Sequence, residues 1–222
     1  HRFLNTYENK ITAYIALTHF TKEKFVQGGL PAQRIHVKPN FVDIPEGDNT
    51  LREYGLYVGR LSPEKGLDCL SQAIKSLPDV RIDIIGEGVM SKALGNIPNF
   101  RILGWKPAEE VYNAMRHAKY LVVPSIWYET FGLIVIEAFA CGLPVIASRI
   151  GALAELVSDG KNGLLFEPGS PESLAEAIAW SENNPDKLVT MGNNARRDYE
   201  SRYSPQRNYV ELESIYTHAL GQ

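Results

Sequence analysis

Arg60 and Lys65 lie five residues apart in the glycine-bounded stretch Gly59-Arg60-Leu61-Ser62-Pro63-Glu64-Lys65-Gly66. Arg presents a planar fork of donors and Lys a point charge, a pair suited to the oxygens of a diphosphate. The alternative is that both are solvated loop cations. Two carboxylates follow, Glu129 in Ser125-Ile126-Trp127-Tyr128-Glu129-Thr130-Phe131-Gly132 and Glu137 in the apolar run Leu133-Ile134-Val135-Ile136-Glu137-Ala138-Phe139-Ala140. Eight residues apart, they do not form an acid–base pair on one helix face, so their roles should differ. A carboxylate set in such an apolar run costs desolvation energy unless donors reach it. The hydroxyls of a sugar would serve, as would an internal Arg or a backbone partner. A helix starting near Gly132 leaves its first amides without intrahelical acceptors, and its dipole favours negative charge, so a phosphate can dock there.

Other patterns fail. Gly86-Glu87-Gly88 lacks the third glycine of a dinucleotide fingerprint, because position 91 is Ser. The 59–66 loop has no GKS or GKT ending and is not a P-loop. No Asp-x-Asp occurs, and the five histidines show no ligand-like spacing, so neither a structural nor a catalytic metal is expected. His117 reads as a surface residue near a helix end. Cys69 and Cys141 both fall in apolar, helix-like stretches; two thiols make no disulfide framework for 222 residues and fit a reducing, cytoplasmic setting.

These residues need elements to position them. Short β-branched or aromatic runs predict strands at Tyr14 to Leu17, Ile35 to Lys38, Tyr54 to Val58, Val80 to Ile85, Phe100 to Leu103, Tyr120 to Pro124, Pro144 to Ala147 and Gly163 to Phe166. Their continuous apolarity predicts a parallel sheet covered on both faces. Helical patterns at Leu67 to Leu77, Ala108 to Ala118, Leu133 to Cys141 and Ala152 to Val157 alternate with them, giving an α/β class. In such sheets ligands bind beyond the carboxyl ends of the strands, where the stretches after Val58, Ile85, Leu103 and Pro124 all carry Gly or polar groups. Ser170-Pro171, Asn184-Pro185 and Ser204-Pro205 each place a capping residue before Pro, predicting three helices at the carboxyl end. The polar stretch 42–53 reads as a linker.

The net charge of −3 lacks the positive concentration that nucleic acid requires. With 44% hydrophobic and 22% charged residues, disorder and fibrous folds are excluded. No apolar run approaches the 18 or so residues of a membrane span, and the polar start, His1 to Lys10, is not a signal peptide. A chain that begins on His and enters at once into a Tyr-rich segment reads as part of a longer protein.

Taken together, Gly59-Arg60-Leu61 with Glu64-Lys65-Gly66, Gly86-Glu87-Gly88, Asn99 to Gly104, Pro124-Ser125, and Glu129-Thr130-Phe131-Gly132-Leu133 with Glu137 resemble the retaining glycosyltransferases of family 4, whose signature is E-x7-E. Gly142 to Ala147 and Asn162 to Leu165 extend the match, from about residue 11 to the end. The resemblance implies the carboxyl-terminal half of a two-domain GT-B enzyme: a Rossmann-like doubly wound parallel sheet with a helical end, over 43–222. Residues 1–42 would be the tail of the amino-terminal domain and the linker. Pro39-Asn40-Phe41-Val42-Asp43 is similar to the family's inter-domain segment, with Phe41 in place of the usual Gly; Ala152 stands where a second Gly is common.

The resemblance further implies that Arg60 and Lys65 hold the diphosphate of a UDP- or GDP-sugar with Gly59 and the backbone of Phe131, Gly132 and Leu133. Thr130 would also bind the donor, Glu137 would hold the ribose, and Glu129 would face the sugar. The strand end near Leu103 would receive the base through its main chain, and Gly86 and Glu87 would also bind the donor. Arg60, Lys65 and Glu129 are the catalytic candidates for a metal-free, cofactor-free transfer with retention. The acceptor, a glycan or lipid, would be bound mainly by the other domain, in a cytoplasmic protein that is free or peripheral to a membrane. Two alternatives stand beside this reading: a nucleotide-sugar-binding module with no transfer activity of its own, and a GT-B sugar-nucleotide epimerase.

Overall fold

The computed structural model describes Tyr7, residues 10–45, Gly47 and residues 52–221. Of the polar start and the 42–53 stretch, residues 1–6, 8, 9, 46 and 48–51 therefore lie outside the described residues. The first unit is β1 (Tyr14–Ala16), α1 (His19–Gln27) and β2 (Ile35–Val37), the two strands pairing in parallel. α1 starts where Thr18 accepts the Thr21 amide at 3.0 Å. A carboxylate from elsewhere in the chain, Glu155, accepts the next free amides of α1, those of His19 and Phe20, at 2.9 and 3.0 Å.

The main body alternates β3 (Tyr54–Val58), α2 (Leu67–Ala73), β4 (Ile82–Ile85), α3 (Ser91–Leu94), β5 (Phe100–Gly104), α4 (Ala108–His117), β6 (Ala118–Val123), α5 (Leu133–Ala140), β7 (Val145–Ser148), α6 (Gly151–Leu156) and β8 (Gly163–Phe166). The sheet order is β5-β4-β3-β6-β7-β8, every pairing parallel. The chain winds outward from β3 through β5, returns to β6 and winds the other way. The fold is thus a Rossmann-like doubly wound sheet whose direction reverses between β3 and β6.

Period-2 alternation fills both faces. Leu56, Leu121, Val123, Val145 and Ala147 pack on one side against α4, α5, α6 and α8 (Pro185–Arg202). Tyr57, Ile82, Ile84, Tyr120, Val122 and Ile146 pack on the other, against α2, α3, α7 (Pro171–Asn183) and the start of α8. α9 (Pro205–Leu220) runs back toward β2, where Asn208 donates to the Pro39 carbonyl at 2.9 Å. The residues at 42–44 are tied down: Val42 is bonded at its carbonyl by the Tyr199 hydroxyl (3.0 Å), and Ile44 is buried.

Several expected boundaries shift. β6 begins at Ala118, two residues before the expected Tyr120, because α4 ends at His117 and passes straight into the strand. β4 loses Val80 and Arg81 to a turn closed by the Val80 amide on the Leu77 carbonyl. The helix expected over Leu67 to Leu77 is α only to Ala73 and tightens to a 3-10 turn over Ile74–Ser76. Ser170 and Ser204 cap their helices as expected, accepting from Ser173 and Arg207. Asn184 does not: its side-chain amide turns back to donate to the Trp180 carbonyl at 2.8 Å, closing α7 instead of opening α8.

Candidate functional site

Beyond the carboxyl ends of β3 and β6, where the winding reverses, lies a cavity of about 710 Å³. This is the crevice that ligands occupy in open α/β sheets. Gly59, Arg60, Lys65, Glu129, Thr130, Phe131, Gly132, Leu133 and Glu137 all line it. Gly86, Glu87 and Leu103 do not. The first two act through their main chains, with the Leu61 amide donating to Glu87 at 2.8 Å and the Gly86 amide to Gly104 at 2.8 Å; Leu103 is half-buried against the core.

The strand-end loops meet backbone to backbone. A Cβ on Gly66, which has φ +72°, would fall 1.7 Å from the Pro124 carbonyl oxygen. One on Gly86 would fall 1.9 Å from the Gly59 oxygen. No other residue fits at these contacts, which lock the 59–66 loop to the ends of β4 and β6.

Within that frame the charged groups differ in how far they are committed. Lys65 Nζ donates to Glu129 Oε1 at 2.6 Å, and the Ser125 hydroxyl donates to the same oxygen at 2.6 Å. Arg60 reaches out from the loop, with 68% of its side chain exposed, and pairs with Glu64 at 2.8 Å. The Ser62 hydroxyl first, and Glu64's own backbone amide second, hold the Glu64 carboxyl below the usual carboxylate range. The Tyr57 hydroxyl donates to the Arg60 carbonyl at 2.9 Å, fixing the turn from below, and burial pushes this phenol well up.

α5 opens at Gly132 with no side-chain cap. Among the described residues, the amides of Phe131, Gly132 and Leu133 find no acceptor. Glu137, half-buried one turn further in, has neither an ion pair nor a hydrogen bond to its carboxylate among the described residues, and burial pushes its pKa up. The internal Arg or backbone partner that would make it purely structural is not found there. Burial also raises the Cys69 and Cys141 thiols to about 11, as befits packed, unreactive groups.

Three further contributors are not evident from residue type alone. Ser125 is 1% exposed yet bonded into the charged cluster. Leu17 and Asn40 reach the cavity from the first unit. α1 touches the Glu129 loop, with the Thr21 hydroxyl donating to the Thr130 carbonyl at 3.3 Å and Phe20 packing on Tyr128 at 4.8 Å. The Pro124-Ser125 and Pro39-Asn40 motifs carried a signal for two of these; Leu17 and α1 carried none. Among the described residues, no His, Cys, Asp and Glu side chains gather in a group of three or more. No helix there is long and apolar enough to cross a membrane.

Fold and cleft together define a doubly wound α/β chain with a crevice at its reversal point that gathers Arg60, Lys65, Glu129 and Glu137. Residues 43–198 match the family model described as glycosyl transferases group 1, and the chain belongs to that family. It is 37% identical over 177 residues to an uncharacterised glycosyltransferase of Methanocaldococcus jannaschii, covering 77% of this chain and 49% of the relative. It is 31% identical to the D-inositol 3-phosphate glycosyltransferase of Corynebacterium kroppenstedtii, covering 74% and 40%. The chain thus spans about half the length, or less, of these curated relatives. Among solved structures, Anabaena HepE in complex with UDP superposes with a TM-score of 0.85 at 24% identity, covering 96% of this chain and 66% of that one. A glycosyltransferase from Rickettsia africae superposes with a TM-score of 0.84 at 20% identity, covering 99% and 67%. These likenesses establish the fold, a Rossmann-like doubly wound sheet shared with GT-B glycosyltransferases.

Proposed function

We propose that this chain is the donor-binding half of a retaining, metal-independent glycosyltransferase of family 4. The observation that carries the reading is the gathering, at one cavity, of Lys65, Arg60, the amides at the start of α5 and the carboxylate of Glu137, the last two without partners among the described residues. The donor is a sugar joined to a nucleoside diphosphate. Its phosphates lie against Gly59, Arg60, Lys65 and the α5 amides, its ribose hydroxyls donate to Glu137, and its sugar faces Glu129. The base lies toward the strand end near Leu103, past Gly86 and Glu87.

When the bond from the anomeric carbon to the phosphate oxygen breaks, negative charge develops on the departing diphosphate. Two cations, drawn from their carboxylate partners when the donor binds, and the oriented amides stabilise it there. The acceptor oxygen forms the new bond to the anomeric carbon with retention, and its proton passes to the departing diphosphate. An acceptor glycan or lipid is bound mainly by the domain that precedes this one in the longer protein, which belongs to the cytoplasm. Relatives of this fold solved with UDP and with UDP-glucose are consistent with such a donor.

A thermal-shift panel of UDP-, GDP- and ADP-sugars, run with EDTA, tests the reading. A donor at 100 times its Kd stabilises the fold by about 2.7 kcal/mol, roughly 5 to 10 °C at this size. No shift from any sugar nucleotide overturns it. The second reading, a binding module without transfer of its own, is favoured by the short span relative to the curated relatives. It predicts nucleotide binding without detectable glycosyl transfer by these 222 residues. An epimerase would convert UDP-GlcNAc with no acceptor present.

A further inference from the structure

Glu129 is held by one oxygen. Oε1 accepts both from Lys65 Nζ and from Ser125 Oγ, each at 2.6 Å, while Oε2 takes no hydrogen bond from any described residue. The two donors are not equivalent. Lys65 is a long, flexible side chain, 26% exposed, and it is one of the two cations that a diphosphate entering this cavity draws upon. Ser125 is a short side chain, 1% exposed, immediately past the end of β6 and the Pro124 carbonyl against which Gly66 is packed. It has no other place to go. Its contact lies in the range of a hydroxyl bound to an ionised carboxylate, among the stronger hydrogen bonds a side chain makes.

We infer that Ser125 is the positioning residue of the sugar subsite, the anchor that keeps Glu129 aimed when a diphosphate draws Lys65 away. The inference rests on the donor-site reading above and deepens it. As Lys65 swings to the phosphates, Glu129 loses its ion pair but not its hydroxyl donor. Its carboxylate stays in place with Oε2 open and one acceptor site on Oε1 newly vacant, both directed at hydroxyls of the transferred sugar. Without Ser125 the carboxylate would swing free at the moment it is needed. The donor would then keep its nucleotide contacts and lose its sugar contacts.

The experiment is calorimetry of the chain with UDP against UDP-glucose and GDP against GDP-mannose, for wild type, Ser125→Ala and Ser125→Thr. Folding is checked by melting temperature. With wild type, the sugar nucleotide that binds does so more tightly than its free nucleotide. Ser125→Ala should reduce that advantage about tenfold while changing nucleotide affinity less than threefold, as expected when the sugar loses a hydrogen bond to a displaced carboxylate. Ser125→Thr, which keeps the hydroxyl, should restore most of the advantage. A merely structural serine would lower both affinities together or neither.

If Ser125→Ala keeps the full advantage of a sugar nucleotide that binds wild type, the inference is wrong and the donor site stands. If neither sugar nucleotide binds wild type, the donor-site reading fails for both and the inference falls with it. Should both variants melt far below wild type, Ser125→Cys, close in size but only a weak donor, reads the same contact; an undiminished sugar advantage there also overturns the inference.

Discussion

The two ends of the sheet treat their polar residues in opposite ways. At the amino ends of the strands, charges are consumed. Asp83 on β4, its side chain 1% exposed, is forked by Arg101 on β5, with Arg101 Nε at 2.8 Å from Oδ1. Glu182 binds both Lys119 and the Tyr120 hydroxyl at 2.6 Å, pinning α7 to β6. Arg52 donates to the Gly142 carbonyl at 2.7 Å, and Asn99 bridges three carbonyls ahead of β5. At the carboxyl ends of β3 and β6, capacity is left over among the described residues: Arg60 largely in solvent, one free oxygen on Glu129, bare amides at α5 and Glu137 without a partner. Satisfied polar groups hold a fold together; unsatisfied ones in a cavity are what a ligand completes.

The largest effect expected from this contrast is Arg101→Ala, which strands a buried carboxylate and should cost about 3 kcal/mol or more in denaturant unfolding. Nucleotide affinity should not change. A variant of unaltered stability would show that the amino end is not the structural end. At the other edge, Lys65→Ala should weaken nucleoside diphosphate binding by roughly 2 to 3 kcal/mol and the more exposed Arg60→Ala by roughly 1.5, with nucleoside binding barely touched. Equal calorimetric losses for diphosphate and nucleoside would break the assignment. Next, Glu137→Ala should weaken free UDP or GDP about tenfold, whereas Glu129→Ala should spare free nucleotide and weaken only the sugar nucleotide. Identical effects would end the division of labour.

A smaller effect is pH-dependent. Burial raises the Glu137 pKa, so the folded chain holds this proton more tightly than the unfolded chain does. The cost of burying the charge is absent below the ordinary carboxylate range and grows as pH rises through the raised folded value. Glu137→Gln should therefore melt higher than wild type at pH 7, and the gap should close toward pH 4. A gap that widens in acid would contradict the assigned cause. Last, EDTA should change nucleotide affinity less than twofold; a loss reversed by magnesium or manganese would sink metal independence.

Much of the fold is legible in the sequence, because strands buried on both faces are short and continuously apolar and their helices end on turn residues. Tyr54 to Val58 and Gly163 to Phe166 need no correction. Boundaries blur where two elements abut without punctuation, as at His117 and Ala118, or where an Asn beside Pro closes one helix rather than opening the next, as at Asn184. The candidate site is legible in its residue types, since glycine-bounded cations and a carboxylate in an apolar helix are local facts. Its wiring is not. The contact of Lys65 with Glu129 joins residues 64 apart, and the reach of α1 to Thr130 spans 109. Such distances close only when β3 and β6 lie side by side. Gly86, Glu87 and Leu103 show the converse: strand-end position alone did not bring them to the cavity wall.

The backbone contacts of Gly66 with Pro124 and of Gly86 with Gly59 bear on timing as well as shape. Loops that touch main chain to main chain have no intervening side chains to rearrange, so they cannot flap independently. On the proposed donor-site reading, an arriving phosphate would find these loops already in place, with only the Lys65 side chain left to move, so no ordering of loops is charged against its affinity. Mixing the chain with nucleotide should accordingly give one concentration-dependent kinetic phase with no slower closing step. Replacing Gly66 with Ala would force the loops apart, and a second, concentration-independent phase should appear.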